Sequence, residues 1–146
     1  MMQIRKIKVE HFDQLYSLSK LIFKEESWSK DQLREAIEDD NYLCISLMDE
    51  GKILAFLIAV QSLDDINIVS VATHSDHQKK GYATRLLNWM INLAKYVEKT
   101  LSLEVKSKNE VAIKLYEKLG FVKVHERPRY YRDGDTALIM FLGDTK

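Results

Sequence analysis

The sequence contains few of the residues that cross-link or interrupt a chain: one cysteine and one proline among 146 residues. A single cysteine excludes a disulfide within the chain and suits a reducing compartment. The 22 basic and 22 acidic residues cancel, so the overall charge does not favour nucleic-acid binding. The longest apolar run, residues 53–60, is far shorter than the roughly 20 residues of a membrane-spanning helix. We therefore expect a soluble, cytoplasmic protein with no nucleic-acid or membrane partner.

What the sequence does contain is typical of a globular domain. Hydrophobic residues make up 46% and charged residues 30% of the chain, which is the balance of a folded soluble protein. Domains near this length bury roughly 70% of the surface that the unfolded chain exposes. No repeat or low-complexity linker divides the sequence, and the first residues lack the apolar segment of a secretory signal peptide. These features predict one domain over residues 1–146.

Hydrophobic periodicity predicts a mixture of strands and helices. Short runs that alternate or are rich in β-branched residues predict strands at residues 3–9, 42–48, 53–60, 66–73, 101–105, 122–125 and 137–142. Apolar residues at helical spacing predict helices at residues 10–23, 29–39, 83–97 and 112–119. This order predicts an α/β or α+β fold in which one mixed sheet carries helices on both faces.

Local signals mark three boundaries of these elements. Ser29 and Gln32 match a capping box, so the second helix is expected to begin at Ser29. The turn-forming residues 49–52 predict that the two strands on either side pair as an antiparallel hairpin. Gly120 follows the last helical residues and provides the left-handed conformation that ends many helices.

The segment from His77 to Ala83 follows a predicted strand and opens a predicted helix. A helix N-terminus presents unpaired backbone N–H groups and a positive dipole end, which together attract an anion such as a pyrophosphate. Gly81 allows close backbone approach, and Lys79 and Lys80 add positive charge. The same pattern also fits an ordinary strand-to-helix connection with solvated lysines. Neither a Walker motif nor a three-glycine dinucleotide fingerprint is present.

Taken with two later segments, this loop resembles the GCN5-related N-acetyltransferase (GNAT) superfamily. The later segments are Leu103-Glu104-Val105 followed by Asn109, and Leu115-Tyr116 followed by Gly120-Phe121. In that superfamily a loop of the pattern Gln/Arg-x-x-Gly-x-Gly/Ala, here residues 78–83, binds the pyrophosphate of acetyl-CoA. The resemblance covers nearly the whole chain. It implies a single mixed, mostly antiparallel sheet of about seven strands.

Within the superfamily, three segments, one of which is named above, resemble one branch, the RimI-type ribosomal-protein-alanine N-acetyltransferases. These segments are residues 25–29 (Glu-Glu-Ser-Trp-Ser), residues 103–105, and residues 129–131 together with 137–140. The resemblance implies transfer of an acetyl group from acetyl-CoA to the N-terminal α-amine of a small-subunit ribosomal protein. No metal takes part, and the oligomeric state is left open.

The resemblance also implies a role for individual residues. Glu104 would be the general base. Tyr116 would contact the cofactor and act as the general acid that protonates the departing thiolate of coenzyme A. Asn109 would hydrogen-bond the pantetheine arm. The backbone beside the thioester would be that of Val71, Ala72 and Thr73. The pyrophosphate would be bound by Lys79, Lys80, Gly81, Tyr82, Ala83 and Thr84.

Each of these residues also has a simpler interpretation. A strand glutamate such as Glu104 often faces solvent, and Tyr116 has the helical spacing of a packing residue. Asn109 is suited to capping the helix that it precedes. Cys44 lies in the middle of a predicted strand and is expected to be a small core residue. Histidines without ligand spacing make a metal site improbable: His11, His74, His77 and His125.

The acceptor is less well determined by the sequence than the donor. A lysine or small-amine acetyltransferase of the same fold, and a non-catalytic acyl-CoA-binding module, remain open. Acidic residues expected near the acceptor entrance suit any cationic acceptor: Glu25, Glu26, Glu38, Asp39 and Asp40. A basic and aromatic cluster fits either a solvated hairpin or a wall of the substrate channel: Arg127, Arg129, Tyr130, Tyr131 and Arg132.

Overall fold

The computed structural model describes residues 2–74 and 77–142. These residues form seven strands: β1 Met2–Lys6, β2 Tyr42–Asp49, β3 Lys52–Gln61, β4 Asp65–Thr73, β5 Thr100–Lys106, β6 Phe121–Arg127 and β7 Ala137–Leu142. Four helices accompany them: α1 Phe12–Phe23, α2 Lys30–Glu38, α3 Tyr82–Tyr96 and α4 Glu110–Lys118. Short 3-10 turns occur at Val9–His11 and Lys24–Glu26. None of the described helices is both long and apolar enough to cross a membrane.

The seven strands form one sheet in the order β1-β2-β3-β4-β5-β7-β6. Every neighbouring pair is antiparallel except β4 and β5, which run parallel. The parallel pair requires a crossover, which α3 provides. The expected mixed, mostly antiparallel sheet of seven strands is therefore confirmed.

Helices cover both faces of the sheet, as expected. On one face α3 and α4 pack over Leu57, with Leu87 and Met90 contributed by α3. On the other face α1 and α2 pack over Phe56 and Ile58. Because successive residues of β3 point to opposite, equally buried faces, this strand is a continuous apolar run rather than an alternating one.

The local boundary signals are confirmed, with one difference at the N-terminus. Ser29 and Gln32 form the capping box, with backbone-to-side-chain hydrogen bonds of 3.2 and 2.8 Å. Gly120 has the expected positive φ, 106°. The first strand, however, ends at Lys6 rather than residue 9. The Lys8 N–H donates to His11 Nδ1, which starts a 3-10 turn and removes Val9 from the strand.

The parallel pair β4–β5 separates part-way along its length. The two strands are paired from Asp65 opposite Thr100 to Ile68 opposite Leu103, and no pairing continues beyond that point in the described chain. Val69 is an extra residue in β4, since its neighbours Ile68 and Ser70 oppose consecutive residues of β3. A β-bulge bends its strand and increases the local twist. The bulge thus lies where β4 leaves β5.

The paired half is held by a small polar network. The Asp65 carboxylate accepts hydrogen bonds from the hydroxyls of Thr100, at 2.6 Å, and Ser102, at 3.1 Å. Ser102 in turn accepts a bond of 2.9 Å from the side-chain amide of Asn67. These bonds join β4 to β5 at one end only, which leaves residues 70–73 and 104–106 on facing but unpaired strand edges.

Candidate active site

The region between the unpaired halves of β4 and β5 is called the opening below. Its first side is the second half of β4. Val71, Ala72 and Thr73 pair with β3 on one edge, whereas the edge facing β5 has no strand partner. Ala72 is buried, and its two neighbours are half-buried. Unpaired backbone N–H groups at such an edge can polarise a carbonyl placed between the strands. The role of these three residues stays a prediction.

The residues just before α3 have backbone features that can attract an anion. Lys79 and Gly81 both have left-handed φ values, 66° and 80°. The N–H of Arg85 bonds to the Gly81 carbonyl at 3.0 Å. The N–H groups of Tyr82, Ala83 and Thr84 therefore precede the hydrogen-bond ladder of α3. Lys79 and Lys80 are exposed, and pyrophosphate binding by these residues stays a prediction.

The second side of the opening is the end of β5, where Glu104 lies. Its side chain is 29% exposed and forms an ion pair of 3.7 Å with Arg127 on β6. Glu104 opposes Ile139 of β7 and lies beyond the last residue that pairs with β4. The carboxylate is thus a half-shielded group beside the opening rather than a freely solvated strand residue.

Two predicted site residues have clear structural roles on α4. Asn109 accepts a 3.2 Å hydrogen bond from the Ala112 N–H and caps the helix, as its simpler interpretation predicts. Tyr116 is 7% exposed and packs edge-to-face on Phe121, at 5.9 Å between ring centroids. Burial raises the pKa of Tyr116 to about 12, so its hydroxyl stays protonated at neutral pH. Their contacts with acetyl-CoA stay predictions.

One group at the end of β5 was not anticipated from the sequence. Lys106 Nζ lies 2.5 Å from Glu26 Oε2 and 3.0 Å from Asp133 Oδ2. It also lies 5.1 Å from the centre of the Tyr131 ring. The sequence signal for the position of Lys106 was the two-residue period of a strand, which places residues 104 and 106 on one face of β5. The partners are 80 and 27 residues away in sequence, and no local pattern relates them.

The structure divides the acidic residues named above between two places. Glu26 reaches Lys106 near Glu104, whereas Glu38 and Asp39 line a shallow depression on α2. Arg127 joins Glu104, and its guanidinium lies 5.5 Å from the Tyr130 ring centre. Within the described ranges no group of His, Cys, Asp or Glu is arranged to hold a metal ion.

Comparison with known proteins identifies the family. The profile of the acetyltransferase (GNAT) family matches residues 9–121. The chain belongs to the GNAT family. Members of this family are acetyltransferases, so the parted strands and the loop before α3 lie in an acetyl-CoA-dependent N-acyltransferase. The matched residues include both sides of the opening, from β4 to the end of α4.

Individual relatives are similar over most of the chain. The [ribosomal protein bS18]-alanine N-acetyltransferase of Escherichia coli K12 is 38% identical over 109 residues, which cover 72% of this chain and 74% of that protein. A crystal structure of the E. coli ribosomal-protein-S18-alanine N-acetyltransferase superposes with a TM-score of 0.89 at 31% identity, covering 97% and 93% of the two chains.

A second solved structure shows the same fold at greater sequence distance. Arabidopsis thaliana NAA60 in complex with acetyl-CoA superposes with a TM-score of 0.87 at 14% identity, covering 97% of each chain. The family match confirms the resemblance inferred from residues 78–83 and 103–121. The E. coli relatives described above confirm the resemblance to the RimI-type branch inferred from residues 25–29, 103–105, 129–131 and 137–140.

Cys44 provides a direct test of whether the enzyme uses a cysteine nucleophile. The thiol is buried, donates to the Ala36 carbonyl, and has a pKa raised by burial to about 12. It packs on the face covered by α1 and α2. We expect Cys44→Ala to keep its kcat within about threefold and iodoacetamide to cause no inactivation at pH 8, since the thiolate is the reactive form. Loss of activity in a folded Cys44→Ala variant would indicate an acyl-cysteine intermediate.

Proposed function

We propose that this enzyme transfers the acetyl group of acetyl-CoA directly to the N-terminal α-amine of a small-subunit ribosomal protein, namely the alanine of bS18. The observation that supports this most directly is the 38% identity, over 72% of the chain, to an enzyme named for that reaction. We further propose that residues 1–146 act as one acetyltransferase domain and that the reaction takes place in the cytoplasm.

The donor would lie along the opening between β4 and β5. Lys79, Lys80 and the N–H groups at the start of α3 would bind the pyrophosphate, because a helix N-terminus and left-handed loop residues attract anions. Asn109 would hydrogen-bond the pantetheine arm while it caps α4. The free edge of residues 71–73 would place backbone N–H groups near the thioester carbonyl.

The acceptor chemistry favours an α-amine. Only a neutral amine attacks a carbonyl carbon, and an α-amine with a pKa of about 8 is roughly one-tenth neutral at pH 7. A lysine with a pKa of about 10.4 is neutral in only roughly one molecule in 2,500. A carboxylate base such as Glu104, acting directly or through water, therefore suffices for an N-terminus, whereas a lysine is more difficult to deprotonate.

The proposed step balances without a covalent enzyme intermediate. The amine nitrogen forms a bond to the thioester carbon, and the bond from carbon to sulfur breaks. Glu104 accepts the proton that the amine loses, and Tyr116 donates a proton to the departing thiolate. Apolar surroundings raise the pKa of Tyr116 to about 12 and also disfavour a bare thiolate. Proton transfer is therefore expected to accompany cleavage of the bond between carbon and sulfur.

The roles of the two side chains predict a specific kinetic result. We expect Glu104→Gln and Tyr116→Phe each to lower kcat by at least about 100-fold, since each removes one proton-transfer group. The affinity for acetyl-CoA should stay within about twofold, because neither change removes a proposed pyrophosphate contact. The assay is thiol release with an alanine-initiated bS18 peptide, together with calorimetric titration of acetyl-CoA.

Matched variants on exposed positions control for nonspecific effects. Tyr96 on α3 is 86% exposed, and Glu117 is exposed on α4. Tyr96→Phe and Glu117→Gln should therefore leave kcat unchanged. If Glu104→Gln and Tyr116→Phe instead retain normal kcat, or if both lose acetyl-CoA binding, these role assignments are wrong.

The pKa of Tyr116 predicts the alkaline side of the pH profile. An acid acts in its protonated form, so the contribution of Tyr116 is complete below its pKa and is lost only as the pH rises through about 12. We expect kcat/KM, which reports the ionisations of the free enzyme and free peptide, to rise as the peptide α-amine is deprotonated and then to stay level up to about pH 10. A descending limb with an apparent pKa near 10 in the wild type, absent from Tyr116→Phe, would contradict a burial-raised pKa.

A further inference from the structure

Two loops meet beside Glu104, and one side chain joins them. The turn Lys24–Glu26 follows α1, and residues 128–136 connect β6 to β7. We infer that Lys106 is a positioning residue that fastens these two loops together and thereby sets the affinity for the acceptor peptide. This inference rests on the proposed function, because it assigns the acceptor to the region beside Glu104.

The position of Lys106 follows from the strand that carries it. Residues 104 and 106 point to the same face of β5 because side chains alternate along a strand. The Lys106 ammonium contacts the carboxylates of Glu26, from one loop, and Asp133, from the other. The lysine side chain is 28% exposed. The Lys106 ammonium thus lies between two carboxylates that belong to different loops.

The loop between β6 and β7 is itself ordered around this contact. Asp135 is 4% exposed and accepts hydrogen bonds from the Ser107 hydroxyl and from the N–H groups of Lys108 and Thr136. The second oxygen of Asp133 accepts the Asp135 N–H at 2.9 Å. Asp133 therefore connects the internal bonds of the loop to Lys106.

Tyr131 links this arrangement to the proposed catalytic base. Its ring lies under the Lys106 ammonium, at 5.1 Å. Its pKa is raised to about 12, first by burial and then by the negative charge of Glu104. Tyr131 accordingly lies close to both Glu104 and Lys106, and a shift of its loop would move an aromatic side chain beside the base.

Lys106 acts as a fixed cation and not as a base. The hydrogen bond to Glu26 is the main cause that raises the pKa of Lys106 above its ordinary value, so the ammonium stays charged in the assay range. Partly exposed ion pairs add little stability. The expected effect of removing Lys106 is therefore a change in the position of the two loops, with the two carboxylates left to repel each other, rather than a loss of the fold.

The first experiment separates acceptor binding from the other steps. We expect Lys106→Met to raise the KM for the alanine-initiated peptide about tenfold, because displaced loops misplace the acceptor. The kcat and the affinity for acetyl-CoA should each stay within about threefold. Lys106→Arg should restore the KM, since arginine also pairs with carboxylates. Lys123→Met is the matched control, because Lys123 forms an ion pair of 3.6 Å with Glu126 on β6, and it should leave the KM unchanged.

The second experiment tests whether Lys106 acts through its two partners. The double variant Glu26→Gln with Asp133→Asn should also raise the KM about tenfold. Adding Lys106→Met to that double variant should cost less than a further twofold, because the contact is already absent. Independent, multiplicative effects of the three changes would contradict the inference.

A third readout does not depend on catalysis. Hydrogen exchange of the amides in residues 131–135 should become at least about tenfold faster in Lys106→Met than in the wild type or in Lys123→Met. Unchanged exchange, or an unchanged KM with an active wild type, overturns the inference and leaves the proposed function intact. A wild type that acetylates no N-terminal peptide, with the expected exchange difference still present, overturns the proposed function alone.

Discussion

The incomplete pairing of β4 and β5 is the constraint on which the rest of the structure depends. Parallel strands need a crossover, and that crossover is α3, whose N-terminus therefore lies next to the end of β4. The Asp65 network fixes the strands at one end, and the bulge at Val69 turns β4 away at the other. This one structural feature thus leaves a free strand edge beside the start of α3 and beside Glu104, where the proposed substrates would bind.

The proposed binding sites for the two substrates use different parts of the chain. The proposed donor side consists mainly of backbone groups, from residues 71–73 and the start of α3, which suits a phosphate-rich co-substrate. The proposed acceptor side consists of side chains from elements far apart in sequence and includes Glu104, Tyr131 and Lys106. Family membership supports acetyl-CoA as the donor, whereas the proposed choice of acceptor would depend on the second group.

The sequence motifs of the candidate site could be recognised from the sequence, whereas the contacts of Lys106 could not. Short motifs with local spacing contain four of the candidate residues: Gly81, Glu104, Asn109 and Tyr116. The capping box at Ser29 could be recognised from the sequence in the same way. The bonds of Lys106 could not be predicted, because they depend on a loop conformation that brings residues 26, 106 and 133 together. The early end of β1 was missed since it depends on one side-chain hydrogen bond from Lys8 to His11.

The site of acetylation is the most direct test of whether the enzyme modifies an N-terminal α-amine. A bS18 N-terminal peptide that contains a lysine is incubated with acetyl-CoA and the enzyme, beside a copy whose α-amine is blocked, and both are mapped by tandem mass spectrometry. The proposed reaction would place one acetyl group on the free α-amine only, and none on the blocked peptide. Acetylation of the lysine in the blocked peptide, or of neither peptide, would contradict it.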